Sequence, residues 1–311
     1  MQAPKSKSFQ DYLKLLSVGL TMGAADAVPG VSGGTMAFLF GIYEELIGTV
    51  KNFSQPSLWQ NSLTNLKKGQ WQKLFQGLNL GFLIPLLAGI FISLVLLSPI
   101  IENLLHDAPV MIWSFFFGLI AASVWSVSRK LTHWQATHIS AFILATLVTF
   151  FIVGLSPAKT PDNLLFLMLC GAIAICALVL PGISGALILV LLGQYERVVS
   201  AFNNREFLTL AVFALGAIIG LLAFARLLNL LFKRYHDLMI AVVTGIILGS
   251  LRKVWPWQQM IGDYNVNILP SWQVLKDGQA SFNSDLIFAP LLMLLGMATI
   301  LIIDKMAADK T

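Results

Sequence analysis

Two short stretches of the chain carry Pro, Gly, Ser and Gly at the same spacing, a combination suited to binding an anion. They are residues 28–35, VPGVSGGT, and residues 180–187, LPGISGAL. Proline breaks a helix because it lacks a backbone N–H and blocks the preceding turn. The serine that follows can cap a new half-helix, whose first N–H groups attract negative charge and stay accessible beside glycine. The candidate anion-binding residues are Pro29, Gly30, Ser32, Gly33, Gly34, Thr35, Pro181, Gly182, Ser184 and Gly185.

The same motif could instead serve packing alone. Pro-Gly makes a kink, and small residues let helices in a membrane approach each other closely. The duplication of the motif favours binding, because near-matched broken segments in the two halves of a chain are typical of a substrate site between membrane repeats.

Three acidic residues near the motifs are candidates for binding a coupling ion. Asp26 lies three residues before Pro29 and has Leu178 as its counterpart in the second copy. A carboxylate at membrane depth is costly unless it is paired or functional. A helix cap or a structural ion pair is the alternative for Asp26. Glu44 and Glu196 recur at the same distance from each motif, and for both the alternative is a structural role at the membrane interface.

Two arginines are candidates for binding a phosphate or a headgroup. The Arg226 guanidinium could hold a phosphate bidentately, although it is close enough to the end of a predicted span to snorkel to the interface. Arg252 precedes Lys253 and the run WPW at 255–257. It could meet a headgroup at the outer face, and an interfacial anchor is the alternative.

The elements that position these residues are predicted to be membrane-spanning helices. The 311 residues are 57% hydrophobic and 11% charged, whereas soluble domains carry about 25% charged residues. Several apolar stretches approach the roughly 20 residues that cross a bilayer core. The predicted spans are 78–101, 109–128, 138–156, 208–231, 237–254 and 285–304.

The chain divides into two internal repeats, residues 1–157 and 158–311. Each begins with a helix pair broken at Pro-Gly, at 12–50 and 163–200, and continues into three spans. Three crossings reverse the side of the membrane, so the second repeat starts from the opposite face. We therefore predict an all-α polytopic membrane protein with two inverted-topology repeats. Whether each broken pair is a re-entrant hairpin or two short crossings stays open.

Basic residues predict the orientation of the chain. With a cytoplasmic N-terminus, most of the twenty Lys and Arg residues fall on the cytoplasmic side, several of them in the polar loop 51–77, as the positive-inside rule requires. The C-terminus is then cytoplasmic, and the polar loop 255–284 is extracytoplasmic. The sequence has no nucleic-acid motif, no metal-ligand spacing and no phosphate-binding loop for ATP. We expect no metal or cofactor, apart from a coupling ion such as H⁺ or Na⁺.

The motifs as a set resemble the bacterial polyprenyl-phosphate transporter family. The resemblance rests on PGVSGGT at 29–35 and PGISGA at 181–186, each followed by Tyr-Glu, and on GSLR at 249–252 with WPW at 255–257. It covers essentially the whole chain. It implies an inner-membrane transporter, not an enzyme, that returns undecaprenyl phosphate from the outer to the cytoplasmic leaflet, where this lipid carrier is reused in cell-envelope polysaccharide synthesis. Its partners would be undecaprenyl phosphate and membrane lipid.

Two other classes of protein stay open from the sequence. Intramembrane polyprenyl-pyrophosphate phosphatases carry a related Pro-Gly-x-Ser-Arg-Ser motif, but Gly33 and Gly185 stand at the arginine position here. Glu44 and Glu45 also lack the Ser and His cluster that accompanies the catalytic glutamates of those enzymes. An ion channel or a transporter of another small anion is the third class.

Overall fold

Most of the residues that the structure describes are in α-helices. The structure, a computed structural model, describes residues 8–27, 32–131, 133–158, 160–261, 264–270 and 285–308. The helices are α1 Phe9–Asp26, α2 Gly33–Leu39, α3 Tyr43–Phe53, α4 Pro56–Lys67, α5 Trp71–Gly77, α6 Leu80–Asp107, α7 Pro109–Ser128, α8 Ala136–Ile152, α9 Leu164–Val179, α10 Gly185–Leu191, α11 Tyr195–Asn203, α12 Phe207–Arg234, α13 His236–Ser250 and α14 Asp285–Ala308.

The described helices support a polytopic membrane protein, as the composition predicts. Three of them, α6, α7 and α12, are long and apolar enough to cross a bilayer. The count becomes four if α10 and α11, which bend by 108° at the break between them, form one broken span. Four further apolar helices are shorter: Ala136–Ile152, Leu164–Val179, His236–Ser250 and Ile287–Ile302.

Two segments expected to be loops contain regular structure. Residues 51–77 include α4 and α5. Strands β1 Gln258–Ile261 and β2 Tyr264–Asn267 form an antiparallel hairpin within the predicted loop 255–284. Residues 271–284 of that loop lie outside the described part of the chain. Both segments are too polar to be predicted as membrane spans. Their helices and strands are too short to produce a clear periodic pattern in the sequence.

The chain forms two compact units. The first comprises Met1–Ser98 with Pro157–Met239, and the second comprises Pro99–Ser156 with Ile240–Thr311. Each unit contains residues from both predicted repeats, and the first contains both Pro-Gly motifs. The core of this unit includes the fully buried side chains of Val18, Phe82, Leu86, Leu167 and Leu228. Both motifs are therefore built into one packed body of apolar helices.

Glycine sets the spacing of several helix pairs. A Cβ added at Gly216 of α12 would clash with the carbonyl oxygen of Met168 in α9. In the second unit, a Cβ at Gly118 of α7 would clash with the carbonyl oxygen of Met293 in α14. Since lipid supplies no hydrophobic drive for helices to associate, close backbone approach is what holds such pairs together.

We expect Gly216→Ala to lower the free energy of unfolding by about 1–3 kcal/mol, because backbone must move to admit the methyl group. Thermal denaturation of the purified protein in detergent measures this effect. Gly77→Ala is the matched control, since no atom lies within 4 Å of a Cβ at that position. Equal melting temperatures for the two variants would contradict the packing assigned to Gly216.

Candidate functional site

Both Pro-Gly motifs interrupt the helical structure of the first unit. Helix α1 ends at Asp26 and α2 begins at Gly33. Helix α9 ends at Val179 and α10 begins at Gly185. In each case serine is the N-cap residue of the new helix, with extended backbone. Residues 28–31, which include the predicted site residues Pro29 and Gly30, lie outside the described part of the chain.

The half-helices that follow the motifs are shorter than the sequence suggests. In the predicted broken pairs 12–50 and 163–200, the second helix of each pair is expected to continue from the motif to the end of the range, but α2 and α10 are each 7 residues long. Gly41 and Gly193 end them with φ of 70° and 63°. This left-handed conformation is readily available only to glycine, which often terminates helices in this way. Helices α3 and α11 then begin at the equivalent tyrosines, Tyr43 and Tyr195, so the two copies share one local structure.

The two motifs lie against each other. Thr35 Oγ1 accepts a hydrogen bond of 2.8 Å from the backbone N–H of Gly182, and both residues are buried. The hydroxyl of Ser32 lies 3.4 Å from the carbonyl oxygen of Leu180. A Cβ at Gly34 would lie 2.9 Å from the carbonyl oxygen of Val179. The C-terminal end of α9 thus contacts the first motif through backbone carbonyls, which no side-chain pattern could have revealed.

The N-terminus of α2 is already occupied by groups of the chain itself. The Gly33 N–H donates a 2.7 Å hydrogen bond to Asp26 Oδ1, and the Gly34 N–H donates a 3.1 Å bond to Ser32 Oγ. The Thr35 N–H donates to the Ser32 carbonyl oxygen at 2.9 Å. The expectation that the N–H groups of Gly33 and Gly34 stand unobstructed is therefore wrong. Asp26 caps the helix, because its carboxylate offers a charged acceptor to the first N–H groups.

The N-terminus of α10 differs, because Leu178 stands where the first motif has Asp26. The N–H groups of Gly185, Ala186 and Leu187 have no hydrogen-bond partner among the residues that the structure describes. The same holds for the half-buried hydroxyl of Ser184. These groups form a set of donors that the chain itself does not use.

Backbone geometry and packing explain the two glycines of the second motif, Gly182 and Gly185. Gly182 has φ of 89°, so it supplies the left-handed turn that carries the chain past the buried Pro181. A Cβ at Gly185 would lie 2.6 Å from the carbonyl oxygen of Ala174. Gly185 therefore also serves close packing of α10 on α9.

The two glutamates open the first turns of the following helices. Glu44 lies in α3 and Glu196 in α11, and both are exposed. Glu44 Oε1 is 3.3 Å from Nε2 of His236. Negative charge in a first turn favours the helix, which fits the structural alternative raised for both residues.

The two arginines contact helix ends in different units. In the first unit, Arg226 Nε donates a 2.6 Å hydrogen bond to Ser54 Oγ, and its guanidinium also donates to the Ser54 carbonyl oxygen at 2.5 Å. In the second unit, Arg252 donates a 2.9 Å bond to the carbonyl oxygen of Phe150 and lies 4.5 Å from the centroid of its ring. A Cβ at Gly154 would collide with the Arg252 guanidinium. Each arginine thus satisfies carbonyls that a helix end leaves free.

Comparisons with known proteins agree with the resemblance in the motifs. The chain is 39% identical to a polyprenyl-phosphate transporter of Vibrio cholerae serotype O1 over 269 residues, which cover 86% of this chain and 83% of the relative. It is 28% identical to a polyprenyl-phosphate transporter of Staphylococcus aureus over 259 residues, covering 76% of this chain and 84% of that relative. No solved structure matches the chain.

The family model described as VCA0040-like, undecaprenyl phosphate translocase-like, matches residues 22–267. This range includes both Pro-Gly motifs, both Tyr-Glu pairs and Arg252. The chain therefore belongs to the VCA0040-like family of undecaprenyl phosphate translocase-like proteins.

Proposed function

We propose that this protein translocates a polyprenyl phosphate, specifically undecaprenyl phosphate, from the outer to the inner leaflet of the bacterial inner membrane. The carrier lipid would then be available again for cell-envelope polysaccharide synthesis. The observation that carries the proposal is the contact between the two Pro-Gly motifs inside one apolar unit, joined by the hydrogen bond from Gly182 to Thr35. Family membership supports the substrate class.

The chemistry of the paired motifs suits a phosphate headgroup. Moving an unpaired charge into hydrocarbon is prohibitively costly, so a carrier must replace the water that a phosphate loses. The Ser184 hydroxyl and the first N–H groups of α10 can replace this water by donating hydrogen bonds to the phosphate. The N-terminus of α2 is capped by its own chain and forms one side of the site. The polyprenyl tail stays in lipid against exposed apolar side chains of α12 such as Leu215, Ile218 and Ile219.

The remaining candidate residues take other parts in this proposal. Asp26 has two roles in this proposal: its carboxylate caps α2, and it takes up H⁺ or Na⁺ during the cycle. Glu44 and Glu196 support the first turns of α3 and α11. Arg226 and Arg252 hold helix ends, so the phosphate is bound by the motifs and not by these arginines.

We propose inverted repeats, residues 1–157 and 158–311, with both termini in the cytoplasm. Single cysteines at Asn61 and His133 should then react with an impermeant thiol reagent only from the cytoplasmic side, and a cysteine at Leu269 only from outside. All three side chains are exposed. The native Cys170 and Cys176 are replaced by alanine for this experiment. Labelling of positions 61 and 269 from the same side would exclude the inverted arrangement.

Reconstitution in liposomes tests the transport function. A polyprenyl phosphate placed in the outer leaflet should become protected from an external phosphatase at a rate that depends on the protein. The same preparation should release no phosphate from undecaprenyl pyrophosphate and carry no ion current without lipid substrate. Protection no faster than in protein-free liposomes would overturn the proposal. Pyrophosphate hydrolysis or a substrate-independent current would instead identify a phosphatase or a channel.

A further inference from the structure

A polar pocket of about 320 Å³ lies in the first unit, apart from the two motifs in sequence and in lining residues. It is formed by α3, the junction between α5 and α6, and the last turns of α12. The pocket is at the lower end of the roughly 300–1,000 Å³ of small-ligand sites. Its polar lining includes Lys51, Asn52, Asn79, Asn229 and Lys233.

Hydrogen bonds within the chain fix the walls of this pocket. Asn79 adopts φ of 50°, an unusual backbone conformation for a residue other than glycine. Its side-chain amide donates a 2.9 Å hydrogen bond to Thr49 Oγ1, and the Thr49 hydroxyl donates to the Glu45 carbonyl oxygen at 2.7 Å. The bonds from Arg226 to Ser54 hold the end of α3 on α12. The pocket is therefore preformed.

Other donors in the pocket are not used by the chain. The ammonium groups of Lys51 and Lys233 and the side-chain amide of Asn229 have no hydrogen-bond or ion-pair partner among the described residues. With Glu45 as the one acidic residue in the lining, the pocket carries a net charge of about +1, counting each side chain at its ordinary charge near pH 7. Helix C-termini normally disfavour anions. Here Lys51 and Lys233 place positive charge in the last turns of α3 and α12, and the Arg226 guanidinium donates to the Ser54 carbonyl oxygen at the end of α3.

We propose that this pocket binds a phosphate monoester and is a second headgroup site, in addition to the paired motifs. The two ammonium groups can each pair with one oxygen of a phosphate monoester dianion, and an amide can donate to a third oxygen. In the proposed topology the ends of α3 and α12 face the cytoplasm, so this is where the headgroup would dock after crossing. The inference rests on the proposed function for the identity of its ligand.

Binding to the full-length protein in nanodiscs of neutral lipid tests the pocket. The measurements use the Ser184→Ala background, so that the paired motifs contribute little. The probes are inorganic phosphate, a water-soluble short-chain isoprenyl phosphate and the corresponding isoprenyl alcohol. Adding K51Q and K233Q together should weaken binding of both phosphates at least tenfold, and the alcohol should show no lysine-dependent binding. K67Q with K68Q is the matched control, because Lys67 at the end of α4 and the following Lys68 are exposed and lie outside the pocket.

The pocket proposal is overturned if K51Q with K233Q leaves both phosphate affinities unchanged, or if the control lowers them equally. Lysine-dependent binding of inorganic phosphate alone would overturn the assignment to a lipid headgroup. Translocation by the wild-type protein is measured separately. A wild-type protein that binds phosphate in the pocket but moves no polyprenyl phosphate would count against the proposed function and leave the pocket standing.

Discussion

Ser184→Ala is expected to weaken binding of a polyprenyl phosphate headgroup by about ten- to hundred-fold without lowering thermal stability. The Ser184 hydroxyl has no partner among the described residues, so its removal should cost the fold little. A hydrogen bond to a charged group contributes roughly 1.5–3 kcal/mol, which corresponds to the expected change in Kd. Equilibrium binding of a short-chain isoprenyl phosphate, compared with and without Ser184→Ala in a protein that carries K51Q and K233Q, measures the affinity of the motifs alone. Thermal denaturation of the same preparations measures stability.

Ser32→Ala is the matched comparison, because it removes the same hydroxyl from the other copy of the motif. Ser32 is fully buried and accepts the hydrogen bond from Gly34 that caps α2. Its loss should lower the free energy of unfolding by about 0.5–2 kcal/mol. Unchanged headgroup affinity in a folded Ser184→Ala protein would contradict the site.

Bulky substitutions at the motif glycines would not separate binding from packing. A Cβ at Gly33 would lie 2.5 Å from Asp26 Oδ2, and one at Gly185 would lie 2.6 Å from the Ala174 carbonyl oxygen. Gly33→Leu and Gly185→Leu therefore change the packing around each motif before any ligand binds. The serine pair is the sharper test because it leaves the backbone in place.

Asp26→Asn is expected to remove the dependence of transport on pH or Na⁺ while the protein stays folded. The asparagine carbonyl can still accept the hydrogen bond from the Gly33 N–H, so the cap is weakened by only about 1 kcal/mol. The charge that would take up a cation is lost. Initial translocation rates, measured over steps of pH and of Na⁺ concentration, compare this variant with the wild-type protein.

Asp26→Ala serves as the control for the cap itself. It leaves the Gly33 N–H without its acceptor, which should lower the free energy of unfolding by about 1–3 kcal/mol. If Asp26→Asn keeps the wild-type response to both pH and Na⁺, Asp26 acts only as a helix cap.

The sequence predicted the features that depend on regular patterns. Apolar runs predicted the helices α6, α7 and α12, because crossing a bilayer requires about 20 apolar residues whatever the neighbours are. Proline and serine predicted the breaks before α2 and α10, since both act on local backbone geometry. The duplicated motif also gave the family, which the comparisons confirm.

Features that depend on tertiary contacts could not be predicted in this way. The bond from the Gly33 N–H to Asp26 depends on how α1 and α2 are placed. The sequence alone therefore left open whether Asp26 binds a coupling ion, caps a helix or forms a structural ion pair. Arg226 was a candidate phosphate ligand, and the sequence could not show its contact with Ser54 because the two residues are distant along the chain. In the sequence, Lys51 and Lys233 served only to predict the orientation of the chain in the membrane. Nothing in the sequence indicates that α3 and α12 pack together.

The most direct test of the central claim is to locate the headgroup on the protein. A polyprenyl phosphate analogue with a photoreactive diazirine beside the phosphate is crosslinked to the reconstituted protein, and labelled residues are identified by mass spectrometry. We expect labels within 32–35 and 180–187 that excess unlabelled polyprenyl phosphate suppresses and excess polyprenol does not. Labels confined to other parts of the chain, or labels in the two motifs that polyprenol suppresses equally well, would contradict this claim.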